Sequence, residues 1–347
     1  MHAYFSSEQM LHDPKQFMRV GRICEAKDLP ERPRRLMGTL DGLGVEVREP
    51  EDVGTDAVLL VHAPEYVSYL RTAYQNWVAQ PQAGPEVLPN VSTYHNGRIE
   101  EDVRRPSRSQ SPVALAGYYL GDLACPVGPD TYRSALKATH VAYAAAQAVI
   151  DGEHACYALC RPSGHHAHRD RAAGFCYFNN SAIAAQHLRS RFDRVATLDV
   201  DTHHGDGTQQ VFYRRPDVLT VSVHADPINY YPYQTGYADE RGYGAGEGFN
   251  LNLPMPHGSG DAKMLELVDR GIEAIRAFGA GALVVPLGFD ALASDPLSVM
   301  KVTSGCFGEI GQRVRALGLP VVIVQEGGYS IEDIAGCLQA FLQGLSA

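Results

Sequence analysis

Five short apolar runs, rich in β-branched residues and each ending in polar or glycine residues, constrain the fold of this chain most. They are AVLLVH at 57–62, VATLDVD at 195–201, VLTVSVH at 218–224, ALVVPLG at 282–288 and PVVIVQEGG at 320–328. Each reads as a buried strand. Helix-patterned stretches at 134–152 and 262–281 lie between some of them, and both stop at glycine. Strands alternating with helices make βαβ units, which predicts an α/β domain with a parallel sheet covered on both faces. Such sheets take ligands beyond the carboxyl ends of their strands. The ionisable residues cluster there: Asp199 to His204, His224, Asp290, and Glu326 to Tyr329 all follow apolar runs.

A length of 347 residues allows one large α/β domain or two ordinary ones. Between about Gln80 and Arg108 the chain is polar, proline-rich and without periodicity, yet strand-like runs lie on both sides of it. It therefore reads as a long loop within a single domain spanning 1–347, and such loops tend to be functional or interface-forming. The formal charge of −10 argues against a general nucleic-acid binder, which needs a basic face. With no apolar run of 18 residues, no membrane span is expected. The stretch MHAYFSSEQMLHDPKQF has neither the basic nor the apolar region of a secretory signal. Cys24, Cys125, Cys156, Cys160, Cys176, Cys306 and Cys337 are scattered without CxxC spacing, which suits reduced thiols in a cytoplasmic protein.

The stretch VATLDVDTHHGDG carries the chemistry. Residues two apart in a strand share a face, so Asp199, Asp201 and His203 point one way as the strand ends. Asp201 and His203 offer an oxygen and a nitrogen, a mixture that suits zinc, and Asp290 in PLGFDALASDP is the candidate third ligand. Three such ligands leave a coordination position open, as a catalytic zinc needs. In RPSGHHAHRD, the adjacent His165 and His166 can hold different protonation states, and Asp199 and Asp206 are available to set their tautomers. His168 reads as a solvated loop residue. In QEGGYS, two glycines let the backbone turn sharply and present Tyr329 to a site, where its hydroxyl can stabilise an oxyanion.

In this order, RPSGHHAHRDRAAGFCYFNN, LDVDTHHGDGTQQVFY, VSVHADP, LGFDALASDP and EGGY resemble the arginase–deacetylase superfamily, on its deacetylase side. The chain looks like the bacterial acetylpolyamine amidohydrolases and their histone deacetylase relatives. The resemblance implies a mainly parallel sheet of eight strands flanked by helices, and one zinc ion per chain on Asp201, His203 and Asp290. It implies His165–Asp199 and His166–Asp206 pairs, with His166 as general base and Tyr329 as the transition-state tyrosine. It further implies a structural potassium ion at Asp199, Asp201, His203, Ser222 and Val223, and a second at Phe212, Arg215, Val218 and Phe249. Gly174, Phe175, Tyr231 and Leu297 would wall the substrate tunnel. The loop at about 80–108 matches a dimer-forming insertion, so a homodimer is implied.

The expected function is hydrolysis of a small N-acylated amine to acetate and free amine, with acetylpolyamines the leading class. Alternatives are a protein acetyl-lysine deacetylase, an arginase-like ureohydrolase with two manganese ions, or a non-catalytic acyl-ligand binder. Polyamine enzymes of this type place glutamates near the cationic end of the substrate. Here Phe17 stands where the first is expected and Val113 near the second, while Glu100, Glu101 and Asp102 offer other carboxylates in the insertion.

Overall fold

The computed structural model describes residues 1–92 and 107–346. From the amino terminus run β1 (His2–Tyr4), a hairpin of β2 (Gln16–Arg19) and β3 (Arg22–Glu25), α1 (Glu31–Gly42) and β4 (Val47–Arg48). Helices α2 (Asp56–Leu59), α3 (Pro64–Val78), α4 (Pro112–Tyr119) and α5 (Thr131–Ile150) follow. Then come β5 (Ala155–Ala158), α6 (Asn180–Leu188), β6 (Val195–Asp199), α7 (Asp206–Phe212), β7 (Val218–Ala225) and β8 (Asn250–Met255). The chain ends with α8 (Asp261–Phe278), β9 (Ala282–Leu287), α9 (Ser304–Ala316), β10 (Val321–Gln325) and α10 (Ile334–Ser346).

Eight strands form one parallel sheet in the order β4-β1-β5-β10-β9-β6-β7-β8, as the resemblance implied. Its central strands are buried on both faces, and their side chains alternate between two cores. Ala196, Leu198, Leu283, Val285, Val321 and Ile323 face the side covered by α1, α8, α9 and α10. Val195, Ala282, Val284, Val322 and Val324 face α2 to α6. The helical stretch at 262–281 becomes α8, stopped by Gly279 in the left-handed conformation at φ 72°.

The run at 57–62 is a correction. It forms α2 and the turn after it, with the Leu59 N–H donating to the Thr55 carbonyl and the His62 N–H to the Val58 carbonyl. Ala57, Val58 and Val61 are buried while Leu59 and Leu60 are exposed, which is the helical pattern of one covered face. Four strands of the eight-stranded sheet lie outside the predicted runs. β1 and β4 are too short to show a period, β5 holds only four residues, and β8 interleaves asparagines with its apolar residues. In the long loop, Val87 is buried and makes an antiparallel bridge to Val127. Residues 93–106, with Glu100, Glu101 and Asp102, lie outside the described residues.

Candidate active site

Four neighbouring central strands, β5, β10, β9 and β6, deliver the candidate residues at their carboxyl ends. Asp201 and His203 follow β6, Asp290 follows β9, and the three ligand atoms lie within 4.8 Å of one another. His203 Nδ1 sits 2.9 Å from Asp290 Oδ2 and 3.2 Å from Asp201 Oδ1. Backbone donors fix both carboxylates: the Gly327 N–H donates to Asp201 Oδ2 at 2.8 Å, and the Thr202 N–H to Asp290 Oδ1 at 2.9 Å. The His203 ring is stacked on Tyr230, with centroids 4.8 Å apart.

Two glycines make this convergence possible. A Cβ on Gly288 would lie 2.1 Å from Asp201 Oδ2, and one on Gly327 would lie 2.4 Å from Asp290 Oδ2. Burial and the neighbouring Asp201 charge push the Asp290 carboxyl up to about 7. Burial opposes a charge on His203, but Asp290 and Asp201 outweigh it and raise the imidazole to about 9. Two buried carboxylates and one imidazole thus share a site that favours bound positive charge. One nitrogen and two oxygens fit a catalytic zinc donor set.

His165 and His166, on the loop after β5, lie beside this cluster with ring centroids 4.0 Å apart. His165 Nδ1 pairs with Asp199 Oδ2 at 3.0 Å, and His166 Nδ1 with Asp206 Oδ1 at 2.7 Å. Burial and the adjacent His165 pull His166 down to about 4, so its imidazole is neutral at pH 7. Burial also works against a charge on His165, but Asp201, Asp199 and Glu326 outweigh it and hold His165 well above the usual imidazole range. The reading of His168 as a solvated loop residue is corrected: its Nε2 lies 2.8 Å from Asp206 Oδ2 and its side chain is 12% exposed.

An unusual backbone lies beside His166. Gly174 and Phe175 are both left-handed, at φ 54° and 69°. Gly174 must lack a side chain, because a Cβ there would meet His166 Cδ2 at 2.4 Å. Asp122, a residue that sequence reasoning missed, accepts the Gly174 N–H at 2.9 Å and the Tyr231 hydroxyl at 2.7 Å. Tyr231 in turn stands edge-on to His166, with centroids 4.9 Å apart. Phe175 lies edge-on between Tyr329 at 5.7 Å and Phe17 at 5.3 Å, so Phe17 belongs to the same aromatic wall. Val113 lies half-buried in α4.

A second missed carboxylate, Asp295, accepts the N–H groups of Leu297, Tyr329 and Ser330 and so ties Leu297 to the tyrosine loop. Arg32 supports that loop from below, its guanidinium 4.7 Å from the Tyr329 ring centre. Arg32 donates to the carbonyls of Gly328 and Glu326, both at 2.6 Å. Burial keeps the Tyr329 hydroxyl protonated, far above its usual range.

The expected potassium positions fall in two places. Asp199 and Ser222 are register partners on β6 and β7 and line a small cavity with Thr220, Asn250 and Asn252. Val223 follows on β7, while Ser222 Oγ is bonded to His224 Nδ1 at 2.8 Å. Phe212, Arg215, Val218 and Phe249 gather at the opposite, amino end of β7. There the Phe212 and Phe249 carbonyls each accept one backbone N–H, from Arg215 and Thr220, and keep a second lone pair.

Residues 26–345 match the family model for the histone deacetylase domain. The chain is 46% identical to the acetylpolyamine amidohydrolase of Burkholderia pseudomallei (strain 1710b), over 100% of this chain and 99% of that protein. It is 34% identical to the acetylpolyamine amidohydrolase of Mycoplana ramosa, over the full length of both. A crystal structure of acetylpolyamine aminohydrolase from Burkholderia pseudomallei superposes with a TM-score of 0.95 at 46% identity, covering 100% of this chain and 99% of that one. With a matched domain and relatives alike over their whole lengths, the chain belongs to the histone deacetylase domain family, whose members are metal-dependent, and is a hydrolase acting on amide bonds.

Proposed function

We propose that this chain is a zinc-dependent deacetylase that hydrolyses the amide of a small N-acylated amine, releasing acetate and free amine. The observation that carries the reading is the convergence of Asp201, His203 and Asp290 within 4.8 Å, with a neutral, buried His166 alongside. These three residues would hold one zinc ion, which supplies Lewis acidity to the amide carbonyl and acidifies the attacking water. His166, its Nδ1–H held by Asp206, presents Nε2 as the base that takes the proton of that water. The His165–His166 pair then returns a proton to the leaving amine. The Tyr329 hydroxyl donates to the oxyanion that develops on the carbonyl oxygen. Gly174, Phe175, Tyr231 and Leu297 wall the acyl channel and keep water from its sides.

A two-metal, arginase-like reading has less support. Among the described residues the other candidate ligand cluster is His165, Cys176 and Glu326. There Glu326 already accepts the N–H groups of Gly164 and His165 and the Ser181 hydroxyl. Structural potassium at the two positions described above, a homodimer through the loop at 80–108, and a cytoplasmic location complete the proposal. All seven cysteines are free, and no described helix is long and apolar enough to cross a membrane.

Acetylpolyamines are the leading substrates, after the names of the relatives. Phe17 sits on the aromatic wall with its ring against Phe175, which favours the less charged members of that class. Elemental analysis and turnover of wild type and His203→Ala test the centre. The variant should lose its zinc and its activity, and a full metal equivalent in it would refute the assignment. A kcat/KM panel of acetylputrescine, acetylspermidine, an acetyl-lysine peptide and an uncharged acyl amide tests the substrate class.

A further inference from the structure

Asp206 serves two histidines at once. Its Oδ1 accepts from His166 Nδ1 at 2.7 Å, and its Oδ2 from His168 Nε2 at 2.8 Å. The proton of His168 is on Nε2, because Arg171 Nη2 donates to Nδ1 at 3.5 Å. His168 does not hang in a free loop. Its N–H donates to the Arg171 carbonyl at 2.9 Å, closing a tight turn that sets the direction of the ring. Both partners are nearly enclosed, with side chains 12% and 10% exposed.

We propose that His168 is a positioning residue for the reaction: by holding the outer oxygen of Asp206, it fixes the carboxylate plane and with it the angle at which His166 presents Nε2. A carboxylate held through one oxygen swings about its Cβ–Cγ bond, whereas separate donors on its two oxygens stop that swing. His204 and Tyr231 also lie near Asp206, and His62 lies near His168, so the pair sits inside a crowded polar wall.

This inference rests on the reading of His166 as the base, so the experiment includes His166→Ala with His168→Ala and His168→Gln in the zinc-loaded enzyme. His168→Ala should lose roughly tenfold in kcat with KM within about twofold, as expected for a group that orients rather than binds. A glutamine amide reaches Asp206 Oδ2, so His168→Gln should recover most of the rate. With histidine labelled by ¹⁵N, the downfield Nδ1–H resonance of His166 should broaden in His168→Ala and return in His168→Gln. Wild-type kcat with an unmoved resonance in His168→Ala overturns the inference, as does a glutamine variant as slow as alanine. If His168→Ala does not fold, His168→Gln is compared with His168→Asn, one methylene too short to reach, and equal rates overturn it. Full turnover in His166→Ala would instead refute the base reading. An inactive His166→Ala beside a normal His168→Ala refutes this inference alone.

Discussion

Gly288→Ala tests the proposed metal centre without replacing any of its three candidate ligands. Gly288 is not in the left-handed region, so alanine strains no backbone there. Its Cβ would lie 2.1 Å from Asp201 Oδ2, 2.5 Å from Cγ and 2.7 Å from Cβ, whereas ordinary contact begins at 3.4 Å. The carboxylate must therefore retreat by more than 1 Å. It has nowhere to go, because Asp201 is fully buried and Oδ2 already accepts the Gly327 N–H at 2.8 Å. Retreat orphans that buried N–H and overpacks the strand ends, together about 2–4 kcal/mol of stability. An oxygen moved by an ångström leaves the roughly 2.0–2.2 Å coordination range of zinc, so two ligands remain where three are needed. Turnover should fall by about a hundredfold or more. Gly336→Ala on α10 is the control: nothing lies within 4 Å of its added Cβ, and it should leave turnover unchanged with a stability gain of up to about 1 kcal/mol. Elemental analysis after gel filtration, kcat and denaturant midpoints on both variants settle the matter. A Gly288→Ala enzyme with a full metal equivalent and wild-type kcat would refute the steric argument.

Tyr329→Phe should lose about 10²–10³-fold in kcat while keeping its metal, checked by steady-state kinetics and elemental analysis, and near-normal turnover would remove its role as oxyanion donor. Burial holds both His12 and His62 down at about 3, below the ordinary 6.5, so the unfolded chain binds their protons more tightly. Their stability contribution is complete above pH 6.5 and is lost as pH falls towards 3, by about 1.4 kcal/mol each between pH 7.5 and 5.5. His62→Gln should remove about half of that loss in denaturant titrations at the two pH values, and an unchanged loss would contradict the assignment. Phe17→Glu should raise kcat/KM for acetylated diamines about tenfold relative to an uncharged acyl amide, the worth of one charge-assisted contact. An unchanged ratio in the substrate panel would place the selectivity elsewhere.

What the sequence made legible was the chemistry that one segment can carry. The β6 run announces a central strand, because burial on both faces leaves an uninterrupted apolar stretch, and its polar end supplies two of the three residues that converge at the candidate metal site. The same rule misread 57–62, since a short apolar run looks alike in a buried strand and in a helical turn, and only the exposure of Leu59 and Leu60 separates them. Asp122, Asp295 and Arg32 were invisible for another reason. Each acts through hydrogen bonds to backbone or side chains distant in sequence, so no local spacing marks it. His168 was misjudged on the same account, its partner Asp206 lying 38 residues away.

The support beneath Tyr329 ties the two ends of the chain into one event. Arg32 reaches carbonyls 294 and 296 residues further on, and Asp28 joins its guanidinium to that of Arg161. During synthesis, a chain that has not yet reached β10 offers Arg32 neither carbonyl, and a guanidinium does not enter an apolar interior without its partners. The amino-terminal segment therefore completes its hydrogen bonds only with the last strand in place, and the tyrosine loop gains the Arg32 contacts only when that segment closes on it. An amino-terminal deletion that removes Asp28 should disorder the loop at 326–330 as surely as a change within the loop itself.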